Sequence, residues 1–466
     1  MSTNCYSGLY DGLLPDKRLA KRLERSLSDL VSSGTAVVNK LATTHCSKTA
    51  FYRMLSNERF DHDAILEGSY RLCSTAVNST HVLCIQDTTE FNYQGIKKKL
   101  TELDPDVGPT GVKAIAGFFC HPMLVVDADS PSIFGLSSTL IYNRSWNQKS
   151  KLERNYAQLP IEEKESFRWI RSVELSKESI PWSVQKTVIG DRESDIYEEF
   201  ERVPDEKTHL LVRSRCDRNL SNNQKLYAVL DQVPVQGTSV VHISSNKKRE
   251  ARLATLDISF CRVSICAPSN YKGDKKAIEL HSILVKEQQN SVPDGEQPIL
   301  WRLLTTHTIQ TIEQANQCIE WYKKRWLIEE LFRVIKTKGF AIESSQLGSG
   351  AALKKLLAMT LIAALKIMQL KLALSDQMLH SQEVFNQQER DYLELAQRRV
   401  EGATDKQKNP YKKDSLAWAT WTIARLAGWS GYKTHGPPGY ITIKEGFDRL
   451  NQQMIGYIAF IESKDV

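Results

Sequence analysis

His81-Val82-Leu83-Cys84-Ile85-Gln86-Asp87 is a short apolar run ending in a carboxylate, and Thr187-Val188-Ile189-Gly190-Asp191 repeats the design further along the chain. Apolar runs of this length, bounded by polar turn residues, predict buried strands. Thr88-Thr89 follows the first run, and Arg192-Glu193-Ser194-Asp195-Ile196-Tyr197 the second. An α/β sheet presents its site at the C-terminal ends of its strands, where both acids fall.

A third acid stands in Tyr322-Lys323-Lys324-Arg325-Trp326-Leu327-Ile328-Glu329-Glu330-Leu331-Phe332-Arg333-Val334-Ile335-Lys336. If this stretch is one helix, Tyr322, Arg325, Glu329 and Lys336 lie within an arc of about 60°. Ile328, Leu331, Phe332 and Ile335 then form an adjoining apolar stripe that seats the helix on a core. Glu330 falls about 100° away from Glu329, and Lys323 and Lys324 read as a solvated basic face. Asp195 reads as the cap of the helix that follows it. Asp87, Asp191 and Glu329 together provide enough hard oxygen donors for two divalent ions about 3.5 to 4 Å apart, an arrangement that polarises a phosphodiester and activates water. Taken singly, each acid could equally cap a strand end or a helix start.

The Tyr-(2)-Arg-(3)-Glu-(6)-Lys pattern, preceded by Asp-Thr-Thr and Asp-Arg-Glu-Ser-Asp strand ends, closely resembles the transposon-five type transposases. These are bacterial cut-and-paste enzymes of the DDE class in the insertion-sequence-four superfamily. The resemblance extends over nearly the whole chain. Asp16 to Leu23 and Ala50 to Leu55 look like the family's end-binding helices. Glu163-Lys164-Glu165-Ser166 with Trp169, Leu211 to Arg215 and Trp301 to Thr305 are similar to its middle segments, and Ser415 to Trp418 and Ile423 to Gly428 to its C-terminal helices.

Composition is compatible with this without deciding it. A chain of 466 residues, 41% hydrophobic and 25% charged, suffices for two or three domains with a real core. The formal net charge of +7 suits an anionic partner. Nine cysteines are scattered without zinc spacing and read as reduced, mostly buried cytosolic thiols. Met1 to Gly12 lack the order of a signal peptide. Leu356 to Leu365, between Lys355 and Lys366, reads as a buried core helix too short to cross a bilayer, so no membrane partner is expected.

The expected fold class is α/β: an RNase H-like catalytic core with an inserted β subdomain, preceded by a small helical DNA-binding domain and followed by a helical C-terminal domain. Residues 1–77 hold three helix patterns, starting at Pro15-Asp16, at a Ser47 cap and at Asp63; the first bears Lys17, Arg18, Lys21, Arg22 and Arg25 on one face. The resemblance implies that residues 78–375 form the DDE catalytic domain, with Gly95 to Gly117 as a polar loop and strand-like runs marking an insertion at about 205–308. The resemblance implies that residues 376–466 form a C-terminal dimerisation domain; they open with a polar stretch from Gln377 to Arg399 and include a basic linker from Thr404 to Lys413.

The resemblance implies the chemistry. Asp87, Asp191 and Glu329 are expected to be catalytic and to bind two Mg²⁺, with Mn²⁺ as a substitute. Tyr322, Arg325 and Lys336 are expected to grip phosphates, the guanidinium by a bidentate fork. Arg213 and Arg215 match positions that contact DNA near the transposon end. Trp301 matches a tryptophan that stacks on a flipped base, and Trp326 could support the same strand. The implied reaction is nicking at each end, hairpin formation, hairpin hydrolysis and strand transfer into target DNA, carried out by a homodimer on double-stranded transposon ends in the bacterial cytoplasm. A catalytically silent DNA-binding inhibitor and a host RNase H-like nuclease are the alternatives.

Overall fold

The computed structural model describes residues 6–41, 44–96, 100–111, 113–149, 152–243, 250–336, 339–375, 379–432 and 435–462. The chain begins with α1 (Lys17–Ser33), α2 (Val38–Leu41), α3 (His45–Leu55) and α4 (His62–Ala76). Five strands follow: β1 (His81–Gln86), β2 (Thr89–Asn92), β3 (Gly108–Thr110), β4 (Ile115–Asp127) and β5 (Ile133–Tyr142). Next come α5 (Phe167–Ser179), β6 (Gln185–Gly190), α6 (Tyr197–Arg202), β7 (Thr208–Arg213), α7 (Leu226–Gln232), β8 (Gly237–Ile243), β9 (Arg252–Ile265), β10 (Ile278–Glu287) and β11 (Leu300–Thr305). The remainder is helical: α8 (Ile312–Lys323), α9 (Trp326–Ile335), α10 (Gly350–Ala373), α11 (Gln387–Val400), α12 (Leu416–Leu426) and α13 (Tyr440–Glu462). This is the mixed α/β content expected, and β7 to β11 fall within 205–308.

The chain divides into two compact units, one of Met1–Asn78, Thr88–Gln148 and Leu327–Val466, the other of Ser79–Asp87 and Lys149–Trp326. These units cut across the sequence segments, because the helices of 1–77 and of 376–466 share a unit. Gln377 and part of the Gly95–Gly117 loop lie outside the described residues.

In the second unit one sheet runs in the order β1-β6-β7-β11-β10-β9-β8. The β1/β6 and β6/β7 ladders are parallel, and the remaining pairings are antiparallel. Burial follows the same division. β1 and β6 are buried at nearly every residue, as parallel strands covered on both faces must be. β8 instead alternates between part-buried and exposed residues, leaving one face to water. A parallel return from β6 to β7 requires a crossover, and α6 provides it. At the far end of β1 from Asp87, the Thr187 hydroxyl lies 2.8 Å from His81 Nε2 and 2.7 Å from His307 Nε2, and His209 stacks on His307 at 4.0 Å.

In the first unit β4 pairs antiparallel with β2, β3 and β5. The helices α1, α3, α4, α12 and α13 all pack on α10. At 24 residues α10 is long and apolar enough to cross a bilayer, which corrects the expectation of a short helix, yet 78% of its most apolar window is buried inside the protein. Its lysines are used internally. Lys355 donates to the Leu55 and Asn57 carbonyls at 3.3 and 2.5 Å, satisfying the C-terminal end of α3. Lys366 lies 5.1 Å from both the Phe385 and Phe447 ring centroids.

Three local expectations are corrected. Thr44, not Ser47, caps α3, and Ser47 closes the capping box three residues in. Asp195 caps no helix, because it is consumed by a buried ion pair described below. The Thr404–Lys413 segment is not a free linker: Asn409 donates from its side chain to the Trp418 carbonyl at 3.0 Å, and its backbone N–H bonds Glu401 at 2.9 Å.

Gly446 marks where α13 approaches α12 backbone to backbone, since a Cβ there would sit 1.9 Å from the Ile423 carbonyl oxygen. We expect Gly446→Ala to destabilise the protein by about 2 kcal/mol. Thermal unfolding checks this; an unchanged melting temperature would contradict the close approach.

Candidate active site

The β1/β6 ladder pairs His81 with Gln185 through to Ile85 with Ile189. Continuing that register by two residues brings Asp87 beside Asp191, on neighbouring strands spaced about 4.8 Å apart. Gly190 is required just before Asp191, because a Cβ there would lie 2.3 Å from Ser194 Cβ and Oγ. The chain then folds into a single 3₁₀ turn over Arg192–Ser194, which Asp191 caps by accepting the Glu193 N–H at 2.7 Å. Asp191 therefore has one oxygen committed to the turn and its second available for a ligand.

Arg325 donates to Asp87 Oδ2 at 3.3 Å, with both side chains under one-fifth exposed. Tyr322 is buried, and its ring meets Trp301 edge-on at 5.7 Å. Burial raises the phenol's pKa, and the cations of Arg325 and Arg213 work against that rise. Arg213 donates to the Leu300 carbonyl at 2.9 Å. Asp87, Asp191, Arg325, Tyr322, Arg213 and Trp301 are thus gathered in the second unit. Arg213 ends β7 and Arg215 lies beyond it, exposed, so the two do not alternate on a strand as the sequence suggests.

Arg213, Arg215 and Trp301 also line an open cavity of about 670 Å³, together with Arg192, Arg302 and Tyr227. Arg302 stacks over the Tyr227 ring at 4.1 Å. Sequence reasoning missed Arg192, Arg302 and Tyr227. The only available signal was that Arg192 follows Asp191 and Arg302 follows Trp301.

The expectation of one continuous helix from Tyr322 to Lys336 is corrected. Helix α8 stops at Lys323, the Lys324 N–H reaches back to Trp321 and the Arg325 N–H to Tyr322, each at 3.0 Å, and α9 starts at Trp326. These tightened bonds change the angular register between Tyr322 and Glu329, so the arc of one helix face does not apply. Glu329 lies in the first turn of α9, and Trp326, the first residue of α9, is 57% exposed. Glu330 is buried and bonds Arg333 at 3.3 Å. Lys336 follows the end of α9, with its ammonium 5.1 Å from the Phe91 ring centroid. Burial lowers its pKa, opposed by Glu343 and Glu90.

The remaining acids of the second strand end are structural. Glu193 pairs with Arg168 at 2.6 Å. Asp195, fully buried, pairs with Arg218 at 2.5 Å and accepts the Arg215 and Cys216 N–H groups at 2.7 and 3.1 Å. Glu199 on α6 was missed entirely: its carboxyl accepts from Gln86 Nε2 at 3.1 Å and from Ser194 Oγ at 2.7 Å. Burial pushes its pKa up to about 8; the Asp195 and Asp191 charges add to this, against the lowering effect of the two hydrogen bonds.

Among the described residues no group of three or more His, Cys, Asp or Glu is drawn together as a metal cluster. The Asp87/Asp191 pair does fit a hard cation. Both are oxygen donors at adjacent strand ends, and the Arg325 guanidinium already stands as a cation against Asp87.

Residues 167–366 match the family model for the transposase DDE domain, a segment that contains Asp191 and Glu329 but not Asp87. Among solved structures, the chain is similar to a piggyBac transposase in its cryo-EM synaptic complex with hairpin DNA, at 11% identity and a TM-score of 0.38. That similarity covers 75% of this chain and 64% of the piggyBac chain, so this chain spans under two thirds of its length.

Glu199 gives a pH dependence of defined sign. Its folded pKa near 8 exceeds the ordinary 4.5, so the folded state binds more protons between those values and its stability falls as pH rises through them. Glu199→Gln removes this slope. We expect the variant to gain on the wild type steadily from pH 5 to pH 8 in pH-resolved thermal melts; parallel curves would contradict the shift.

Proposed function

We propose that this chain is a DDE transposase that binds transposon ends and cuts and joins DNA by the hairpin route of the transposon-five type. The observation that carries the reading is the gathering of Asp87 and Asp191 at adjacent strand ends with Arg325, Arg213, Tyr322 and Trp301. The match of 167–366 to the transposase DDE domain supports it. Glu329 enters as the third carboxylate on the strength of the sequence pattern.

Mg²⁺ held by these acids would supply Lewis-acid polarisation of the phosphodiester and a more acidic water or hydroxyl nucleophile. The chain's own residues do the rest. Arg325 has a forked donor set that suits two phosphate oxygens as well as it suits Asp87, so substrate phosphate can take the guanidinium over from the carboxylate. Arg213, Arg215, Arg192 and Arg302 line a cavity whose positive charge suits a strand backbone, and Trp301 offers a ring face to an unpaired base. Tyr322 packs edge-on against Trp301 and limits how that ring can turn. Nicking, hairpin closure, hairpin opening and strand transfer are all in-line displacements at phosphorus, so one such site serves all four.

Lys17, Arg18, Lys21, Arg22 and Arg25 are all exposed on α1, which supports duplex binding by the N-terminal helices. Dimerisation through the C-terminal helices and a bacterial cytoplasmic setting complete the proposal. With end-containing duplex and Mg²⁺ we expect hairpin products, lost in Glu329→Gln and in Asp191→Asn. Trp301→Ala should slow hairpin formation roughly 5- to 150-fold, the value of one stacked base, while nicking persists. Products without hairpins, or activity surviving Glu329→Gln, would refute the reading.

A further inference from the structure

Glu199 is wholly buried on α6. Its two oxygens have separate partners. Oε1 takes the Gln86 amide, from the last residue of β1, and Oε2 takes the Ser194 hydroxyl, from the turn that Asp191 caps. Gln86 and Asp87 are successive residues at a strand end, so fixing one side chain fixes the peptide that aims the other. Ser194 closes the 3₁₀ turn whose first cap is Asp191. One carboxyl therefore bridges the supports of both candidate ligands.

We infer that Glu199 is a positioning residue: by tying Gln86 to Ser194 it sets the separation and aim of the Asp87 and Asp191 carboxylates between which a divalent ion is held. The inference rests on the two-acid site proposed above. Hydrogen bonds behind metal ligands commonly change metal affinity by about 10- to 100-fold when removed. A merely space-filling core acid would leave that affinity alone, so affinity and stability separate the two roles.

The test measures Mn²⁺ binding to the full-length protein by titration with electron paramagnetic resonance of the free ion, alongside thermal melts. Wild type should bind, and Asp191→Asn should lose that binding. Glu199→Leu keeps the volume but breaks both bonds, and should weaken Mn²⁺ binding about 10- to 100-fold. Glu199→Gln, which can bond both partners once the Gln86 amide turns over, should stay within about threefold of wild type. Gln86→Leu breaks one arm from the other side and should weaken binding as well, which keeps the test decisive if Glu199→Leu does not fold. Wild-type affinity in Glu199→Leu or Gln86→Leu, or equal loss in Glu199→Gln and Glu199→Leu, overturns the positioning role while leaving the two-acid site intact. Wild-type binding that Asp191→Asn does not disturb overturns the site itself, and the positioning role with it.

Discussion

The parallel ladder between β1 and β6 is the constraint on which the candidate site depends. Parallel strands start at the same edge and end at the same edge, so an acid placed just after each emerges beside the other without any loop having to be steered there. Parallel pairing also demands cover on both faces. The near-continuous burial of both strands, the α6 crossover and the buried Trp169 on α5 meet that demand. The acids need no strained backbone to meet, because the register places them. What remains is to aim the carboxylates, and the turn capped by Asp191 together with the Glu199 bridge does this by hydrogen bonding.

The same logic explains what could be read from sequence. Apolar runs ending in Asp87 and Asp191 are local signals, and so are the strand-like runs of 205–308 and the apolar stretch from Leu356 to Leu365. All four are present as elements. The mixture of Tyr322, Arg325, Arg213 and Trp301 was legible only as a pattern, yet the structure draws these residues together around the two acids. The rest was hidden because it depends on partners distant in sequence. Nothing near Glu199 announces that Gln86, 113 residues earlier, will meet it. Asp195 has the composition of a helix cap, but Arg218 and two backbone N–H groups from the end of β7 compete for it and win.

The break between α8 and α9 shows a local rule losing to another local rule. Helical periodicity ran unbroken through Tyr322 to Lys336, and no proline or glycine interrupts it. The change lies instead in where the N–H groups of Lys324 and Arg325 go, to carbonyls three residues back rather than four. Lys323, Lys324 and Arg325 then cluster at the end of α8, where the carbonyl end of the helix dipole favours cations. The residues that seemed merely to decorate a helix face help to end one helix and begin the next.

The Arg325–Asp87 ion pair follows from that break. Two carboxylates at neighbouring strand ends repel each other, and partial burial strengthens the repulsion. A guanidinium donated from the turn between two helices offsets part of that cost without the oxygen geometry a divalent ion demands. Because Arg325 sits in a turn and not mid-helix, its side chain can exchange one anion for another with little backbone adjustment. On the proposed function, an ion competing for Asp87 and a phosphate competing for Arg325 would assist each other, each releasing the partner that the other requires.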